Sequence, residues 1–318
     1  MTERTVESVE RVLRDELVRG DAMIAAARPI LRHLLSNDDH ELFSDQTLAR
    51  VRGMMFDVAR QLLSAQAESA EIGDRKEFVA ERQDGLAHAL LEDTAFLGHA
   101  HALSLEAQLT EHLQAGSGID AVLPPLVQDL AAAEDAATAG LSMAVLAAQA
   151  RFVQHYRRME LPLRELPGDL FHRALLLLRS HAGAGDGDRD AGAEDAERRL
   201  RGAYEEDAGR LALLSRLVMS LESHAARALA VDHAGLAIFA SALAMASGQE
   251  RELTLLSFAE RQFSRLALAL RAAGLEQQAV EQQFIFLHPE VALPDGFEML
   301  RTDRAAALLA ASQPEAAF

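Results

Sequence analysis

The densest chemistry-bearing pattern in the chain is a set of four carboxylates. Asp186, Asp188, Asp190 and Glu197 occupy positions one, three, five and twelve of a calcium-loop spacing. Three close carboxylates and a later bidentate one are what a hard, oxygen-seeking cation needs. Ala191 stands where such a loop uses glycine for its turn, and Gly183-Ala184-Gly185 is a poor end for an entering helix. Calcium is the metal this spacing supports. The competing reading is a solvated acidic linker.

The 12 histidines raise the question of a second metal site. The chain contains no His-Glu-x-x-His, the zinc-protease pattern, and no Glu-x-x-His, the pattern of carboxylate-bridged di-iron bundles. Asp169-Leu170-Phe171-His172 is a single near match. Asp84, His88, Glu92 and His99 would align along one face of a continuous helix. That face lies away from Leu86 and Leu90, as a solvated polar stripe would. A site assembled from distant helices would leave no local motif, and its first suspects are His99, His101, His155, His172 and His224.

Other chemistries lack their residues. Asp39-His40-Glu41-Leu42 shares three residues with the phosphoacceptor helices of sensor kinases, but Asp45 replaces their proline and no glycine-rich nucleotide lobe follows. Asp38-Asp39 lacks the downstream third carboxylate of a prenyl-diphosphate site, because Leu42 fills that place. There is no Gly-x-Ser-x-Gly, no P-loop and no strand-linked glycine fingerprint. With no cysteine, disulfides, thiolate catalysis and Cys-ligated metals are excluded.

The elements that would carry these residues read as helices. Hydrophobic residues make up 49% of 318, while aromatic ones are 5%, so the core must be leucine, alanine, valine and methionine. Val6, Val9, Leu13 and Leu17 share one face of a first helix, which the sequence breaks at Gly20-Asp21 before a second helix over Met23 to Leu35. Leu48, Val51, Met55, Val58 and Leu62 recur at spacings of three and four, with Ser44 placed to cap. Helices fill Glu77 to Gln114 with an interruption expected at Gly98, and Pro124-Pro125 marks a boundary. Glu165 to His181 follows, then one long helix from Glu194 to Leu229 whose seam has Asp207 as its polar exception.

Ala234 to Ala246 reads as a buried helix, too short to span a bilayer. Ser247 to Glu250 has capping-box spacing ahead of a stripe of Leu256, Ala259, Phe263, Leu266 and Leu270, which Gly274 ends. Strand signals are absent: no alternating β-branched run, and no hairpin turn between apolar runs. The expected fold is all-α, a multi-helix array or bundle that can take a solenoid-like form. Its expected parts are an N-terminal helical region over 1–182, an acidic Gly/Asp-rich loop or linker over 183–193, and a C-terminal helical region over 194–318.

The second half resembles a bacterial family of all-helical proteins with HEAT-like helical pairs and no established activity. The likeness is carried by Asp232-His233-Ala234-Gly235-Leu236-Ala237-Ile238-Phe239 leading to Ala242-Leu243, by Arg265 to Arg271, and by Ala273-Gly274-Leu275. The resemblance implies a helical scaffold and no catalytic residue.

The formal net charge is −18, with 31 basic against 49 acidic residues, and a surface so acidic repels phosphate backbones. The local basic run Arg198-Arg199-Leu200-Arg201 is offset by Glu194 and Glu197 four residues upstream. The expectation is a cytoplasmic, non-catalytic scaffold or regulator binding a protein partner of basic character, without nucleic acid, membrane or resident cofactor beyond the calcium option. The alternative is a small-ligand or metal-binding sensor or enzyme built from dispersed histidines and carboxylates.

Overall fold

A computed structural model of the chain describes residues 2–36, 45–183, 187–259 and 262–312. Among the described residues the protein is all-α, with no strand. The helices in chain order are α1 (Thr2–Ser36), α2 (Asp45–Ser69), α3 (Arg75–Glu92), α4 (Thr94–Ser117), α5 (Pro125–Ala131), α6 (Ala136–Arg157) and α7 (Gly168–Ala182). After them come α8 (Gly187–Ala203), α9 (Arg210–Ser220), α10 (Val231–Ser247), α11 (Arg251–Ser257), α12 (Phe263–Ala272), α13 (Gln277–Leu287) and α14 (Thr302–Ala311). Short 3-10 turns cover Leu163–Glu165, Glu206–Ala208, Glu222–Leu229 and Phe297–Met299.

The chain forms two compact units, each assembled from separated stretches. Unit 1 takes Met1–Ala27, Leu105–Gln149 and Leu214–Ala317, and unit 2 takes Arg28–Ser104 and Ala150–Leu213. None of these boundaries falls in the 183–193 segment that the sequence marks as a linker. The helix α8 starts at Gly187, so much of that segment is helical turn.

Several expected breaks lie elsewhere. The first helix runs through Gly20 and Pro29. At Gly20 the side chain of Gln262 packs closely and its Nε2 donates to the Gly20 carbonyl at 3.0 Å. The interruption expected at Gly98 falls instead at Asp93, whose Oδ1 accepts from the amide of Ala95 at 2.9 Å and caps the start of α4. The long helix expected over Glu194 to Leu229 is divided: α8 ends at Ala203 and α9 opens at Arg210. Asp207 sits exposed in the divide. The capping box expected at Ser247 does not form, since its hydroxyl donates to the Leu243 carbonyl and Glu250 begins α11 without a side-chain cap.

In unit 1, α10 is the central helix, kinked at Gly235. Leu236, Ile238, Phe239 and Leu243 are buried, and α5, α11, α12 and α13 pack around it. Gly235 takes φ +70 and lies so near Pro124 that a Cβ would sit 3.0 Å from the ring, so any side chain there meets both strain and a clash. The N-terminal stripe of Val9, Leu13 and Leu17 is buried as the sequence predicts. Arg265, 1% exposed, joins α12 to Asp21 of α1, to Gln249 at 2.8 Å and to the Ser312 carbonyl at 3.0 Å. Glu106 is fully buried and pairs with Arg251 at 3.1 Å.

In unit 2, α2 is the core helix. Leu48, Val51, Met55, Val58 and Leu62, predicted as one stripe, are all buried and meet Leu86, Leu90, Leu170 and Leu178. Helices α3, α7 and α8 pack on α2. The approach of α8 is close: a Cβ on Gly192 would stand 2.6 Å from the Cβ of Ala70, so glycine sets this spacing. Helix α6 is long and apolar enough to cross a membrane by length and composition, with mean hydropathy 1.3 over its most apolar window.

Candidate functional site

Two concave features of unit 2 are lined by one short connection. After α6 the backbone turns at Met159, in a left-handed conformation (φ 58), and runs through Glu160 to Leu166 before α7. Leu161, Leu163 and Leu166 are buried. Their backbone groups are met by polar side chains of α2. Asp57 Oδ2 accepts from the Leu161 amide at 3.0 Å. Gln61 spans the strap, its Nε2 donating to the Leu161 carbonyl at 2.9 Å and its Oε1 accepting from the Leu163 amide at 3.1 Å. Arg50 donates to the Tyr156 carbonyl at 2.8 Å and lies over the Tyr156 ring. Glu165 accepts from the Arg210 amide at 2.9 Å. Buried backbone groups in an irregular segment need such partners, and Asp57 and Gln61 supply them.

The strap lines an open cleft of about 640 Å³. Helix α2 contributes Arg60, Gln61, Ser64, Ala65 and Glu68, residues that share one helical face. The opposite wall is Arg199, Leu200 and Ala203 of α8, with Tyr204 just after it. Pro162, Leu163 and Arg164 of the strap and Phe171 of α7 complete the lining. Tyr204 stacks on Phe171 with ring centroids 4.0 Å apart and donates its hydroxyl to the Leu166 carbonyl at 2.7 Å. Burial, with the charges of Glu206 and Asp169 nearby, pushes the Tyr204 phenol up to about 12. This side chain is an aromatic wall and a hydrogen-bond donor, not an acid or base near neutral pH.

The cleft is rich in arginine. Arg60 pairs with Asp57. Arg199 pairs with Glu68 at 2.8 Å and donates to the Ala65 carbonyl at 3.1 Å. Arg164 pairs loosely, 3.8 Å from Glu165. The sequence places Arg199 inside a basic run neutralised along its own helix. The neutralisation holds for Arg201, which bonds Glu197 at 2.9 Å, and Arg198 pairs with Asp195. Arg199 points to the other side, into the cleft.

The strap also lines a small cavity with about 20 Å³ of free space, room for about one water. Met54, Leu103, Phe152, Leu161 and Leu211 make it apolar, and His155, Tyr156, Glu160, Glu165 and Arg210 bring polar groups. His155 Nδ1 lies 2.7 Å from Glu160 Oε2. Arg210 lies over the Phe152 ring, 3.8 Å from its centroid.

The residues singled out by sequence do not converge. His155 is the suspect histidine that lines a cavity, with Glu160 and Glu165 beside it. His172 is exposed and bonds Arg201 at 2.9 Å, and His224 is exposed in unit 1. His99 is buried in α4, and His101 follows two positions on, partly buried. The stripe of Asp84, His88, Glu92 and His99 is not one face, because the helix breaks at Asp93 between Glu92 and His99. Of the proposed calcium ligands, Asp186 lies outside the described residues, and so do the side chains of Asp188 and Asp190. Glu197 is engaged by Arg179 at 3.3 Å and by Arg201. Among the described residues no group of three or more His, Asp or Glu is placed to hold a metal ion.

Sequence reasoning missed Asp57, Gln61, Arg60 and Arg164, and read Arg199 only as part of a basic run offset along its own helix. The readable signal was a strap bounded by Pro162 and Pro167 next to a helix whose polar face carries Asp57, Arg60, Gln61, Ser64 and Glu68. Compared with protein-family models, curated proteins and solved structures, the chain finds no match.

Proposed function

We propose that the protein acts by binding, as a non-catalytic helical scaffold or regulator, and that the cleft of unit 2 receives a segment of a partner protein. The observation that carries this reading is the cleft itself. It falls within the size range of binding sites, about 300–1,000 Å³. It is open along a helix face, and it combines an apolar floor with charged rims, as partner-binding patches do.

The reading is tested by filling the cleft. Ala203 is exposed at its edge, so Ala203→Trp occupies the space without entering the core. The expected result is a protein captured reproducibly by the native chain from its own organism and lost with Ala203→Trp. Capture that ignores the substitution counts against the cleft, and a co-purifying metabolite in place of a protein reverses the reading.

The second reading, a small-ligand sensor or enzyme, is favoured by one arrangement. His155 with Glu160 on Nδ1 has the geometry in which a carboxylate orients an imidazole. The cavity beside it is far smaller than a metabolite site, so this reading ranks second. Loss of a co-purifying small molecule in His155→Ala would raise it to first.

A further inference from the structure

We infer that residues 222–229 are a two-state joint in unit 1, a 3-10 segment tied by Arg227 to Asp129 that rejoins α9 as one continuous α-helix when the tie is released. The inference is independent of what the cleft of unit 2 receives.

The segment's structure runs against its sequence. Glu222, Ala225, Ala226, Arg227, Ala228 and Leu229 are among the strongest α-helix formers, and they are six of its eight residues. Yet Glu222–Leu229 is a 3-10 helix. Runs of that geometry beyond three or four residues are uncommon, because its hydrogen bonds are poorer. The chain enters it through Glu222 at φ +44, a left-handed conformation that disfavours a residue with a Cβ. Just before, α9 closes by tightening. The Leu221 amide donates to the Val218 carbonyl at 3.2 Å, and the Ser220 hydroxyl takes the Leu217 carbonyl at 2.8 Å, the acceptor a continued α-helix would give to Leu221.

Both registers bury the same residues. Leu214, Val218 and Leu221 form the inward row at the end of α9. At α-helical spacing that row continues through Ala225, Ala228 and Leu229. In the 3-10 form Ala228 and Leu229 are buried already. A change of register therefore exposes no large apolar side chain.

The tie decides between the two. Arg227 donates to Asp129 Oδ2 of α5 at 2.5 Å and lies 3.2 Å from His233 Nε2 of α10. Arg227 is 39% and Asp129 53% exposed, and pairs so exposed contribute little, so the tie biases the joint without locking it. Passing from 3-10 to α shortens eight residues by about 4 Å. The shortening falls on Ala230 and on the first turn of α10, which the Gly235 kink sets apart from the rest of that helix. Rejoining also frees Asp129 and His233 for other contacts, so this surface of unit 1 changes with the state of the joint.

The full chain has no cysteine, so introduced ones carry labels uniquely. Ala226→Cys, at an exposed position, takes a trifluoromethyl tag for fluorine NMR. Two resonances are expected, or one averaged line. Asp129→Asn is expected to raise the minor population several-fold. Glu222→Gly, which relieves the left-handed turn and weakens a continuous helix, is expected to lower it several-fold. Nitroxides on Met219→Cys and Ala226→Cys, both exposed, identify the minor form. On one helix they share a face about 10 Å apart, so dipolar broadening should grow with Asp129→Asn and fall with Glu222→Gly. Circular dichroism checks that each variant keeps its fold.

One unmoved resonance in all three proteins overturns the joint, and so do two variants that shift the population in the same direction. A minor form that grows in Asp129→Asn without added broadening is a frayed segment, not a rejoined helix, and overturns it as well.

Discussion

Asp57 holds three groups at once: the Leu161 amide, Gln61 Nε2 and Arg60. Gln61 Nε2 also donates to the Leu161 carbonyl and the half-exposed Arg60 guanidinium reaches water, but the buried Leu161 amide has Asp57 as its acceptor. Asp57→Ala should therefore cost about 1–3 kcal/mol, the penalty of leaving a buried donor unsatisfied. Urea unfolding measures it, and a change below a few tenths would mean the strap reseats. His181 offers a second test. Burial, with the positive charge of Arg82, holds its imidazole below the usual histidine range, and Gly85 lies directly beneath its ring. The folded protein thus prefers the neutral form. This contribution is present above about pH 6.5 and is lost as pH falls through the lowered folded value. Wild type should lose more stability between about pH 7.5 and 5.5 than His181→Gln. Equal losses would remove the assignment.

Helices were legible where apolar residues recurred on one face or filled a continuous run. The α2 stripe, the buried run of α10 and the stop at Gly274, which takes φ +92, follow from spacing and turn chemistry. Breaks were harder. Glycine at position 98 marks no break, since a single glycine costs a helix only about 1 kcal/mol. Asp93 does end a helix, because its side chain replaces lost backbone bonds at the start of α4. Asp93→Ala should remove that cap and the 3.1 Å pair with Arg173, at about 1–2 kcal/mol. A matching fall in thermal midpoint checks it, and no change would point to water as an adequate cap. Farther on, Asp207 was visible as a misfit in a seam, and the misfit was the break itself. The cleft was illegible for another reason. Arg60 on α2, Arg164 on the strap and Arg199 on α8 are brought together only by packing, which periodicity does not encode.

On the scale of the whole molecule, the division into halves around 183–193 gives way to two interleaved units. Each draws residues from both sides of that segment. A chain cut there separates α7 from α8 and takes α10 to α14 away from the N-terminal stretch of α1. Fragment 194–318, expressed alone, should show no cooperative unfolding, because it lacks α5 and the Val9, Leu13 and Leu17 stripe of unit 1, whereas fragment 1–182 keeps the unit 2 core apart from α8 and Ala196 and should melt at a lower temperature than the full chain. A cooperative melt of 194–318 alone would contradict the interleaving.

The same interleaving sets an order on the emerging polypeptide. By the time residue 213 has left the ribosome, every stretch of unit 2 has been made, whereas unit 1 still awaits Leu214–Ala317, its longest portion. Domains tend to fold as soon as their chain is complete. The arginine cleft can therefore exist on a nascent chain whose Val9, Leu13 and Leu17 stripe is still without its eventual neighbours. A ribosome stalled at that point would display a finished unit 2, cleft included, on a half-built protein.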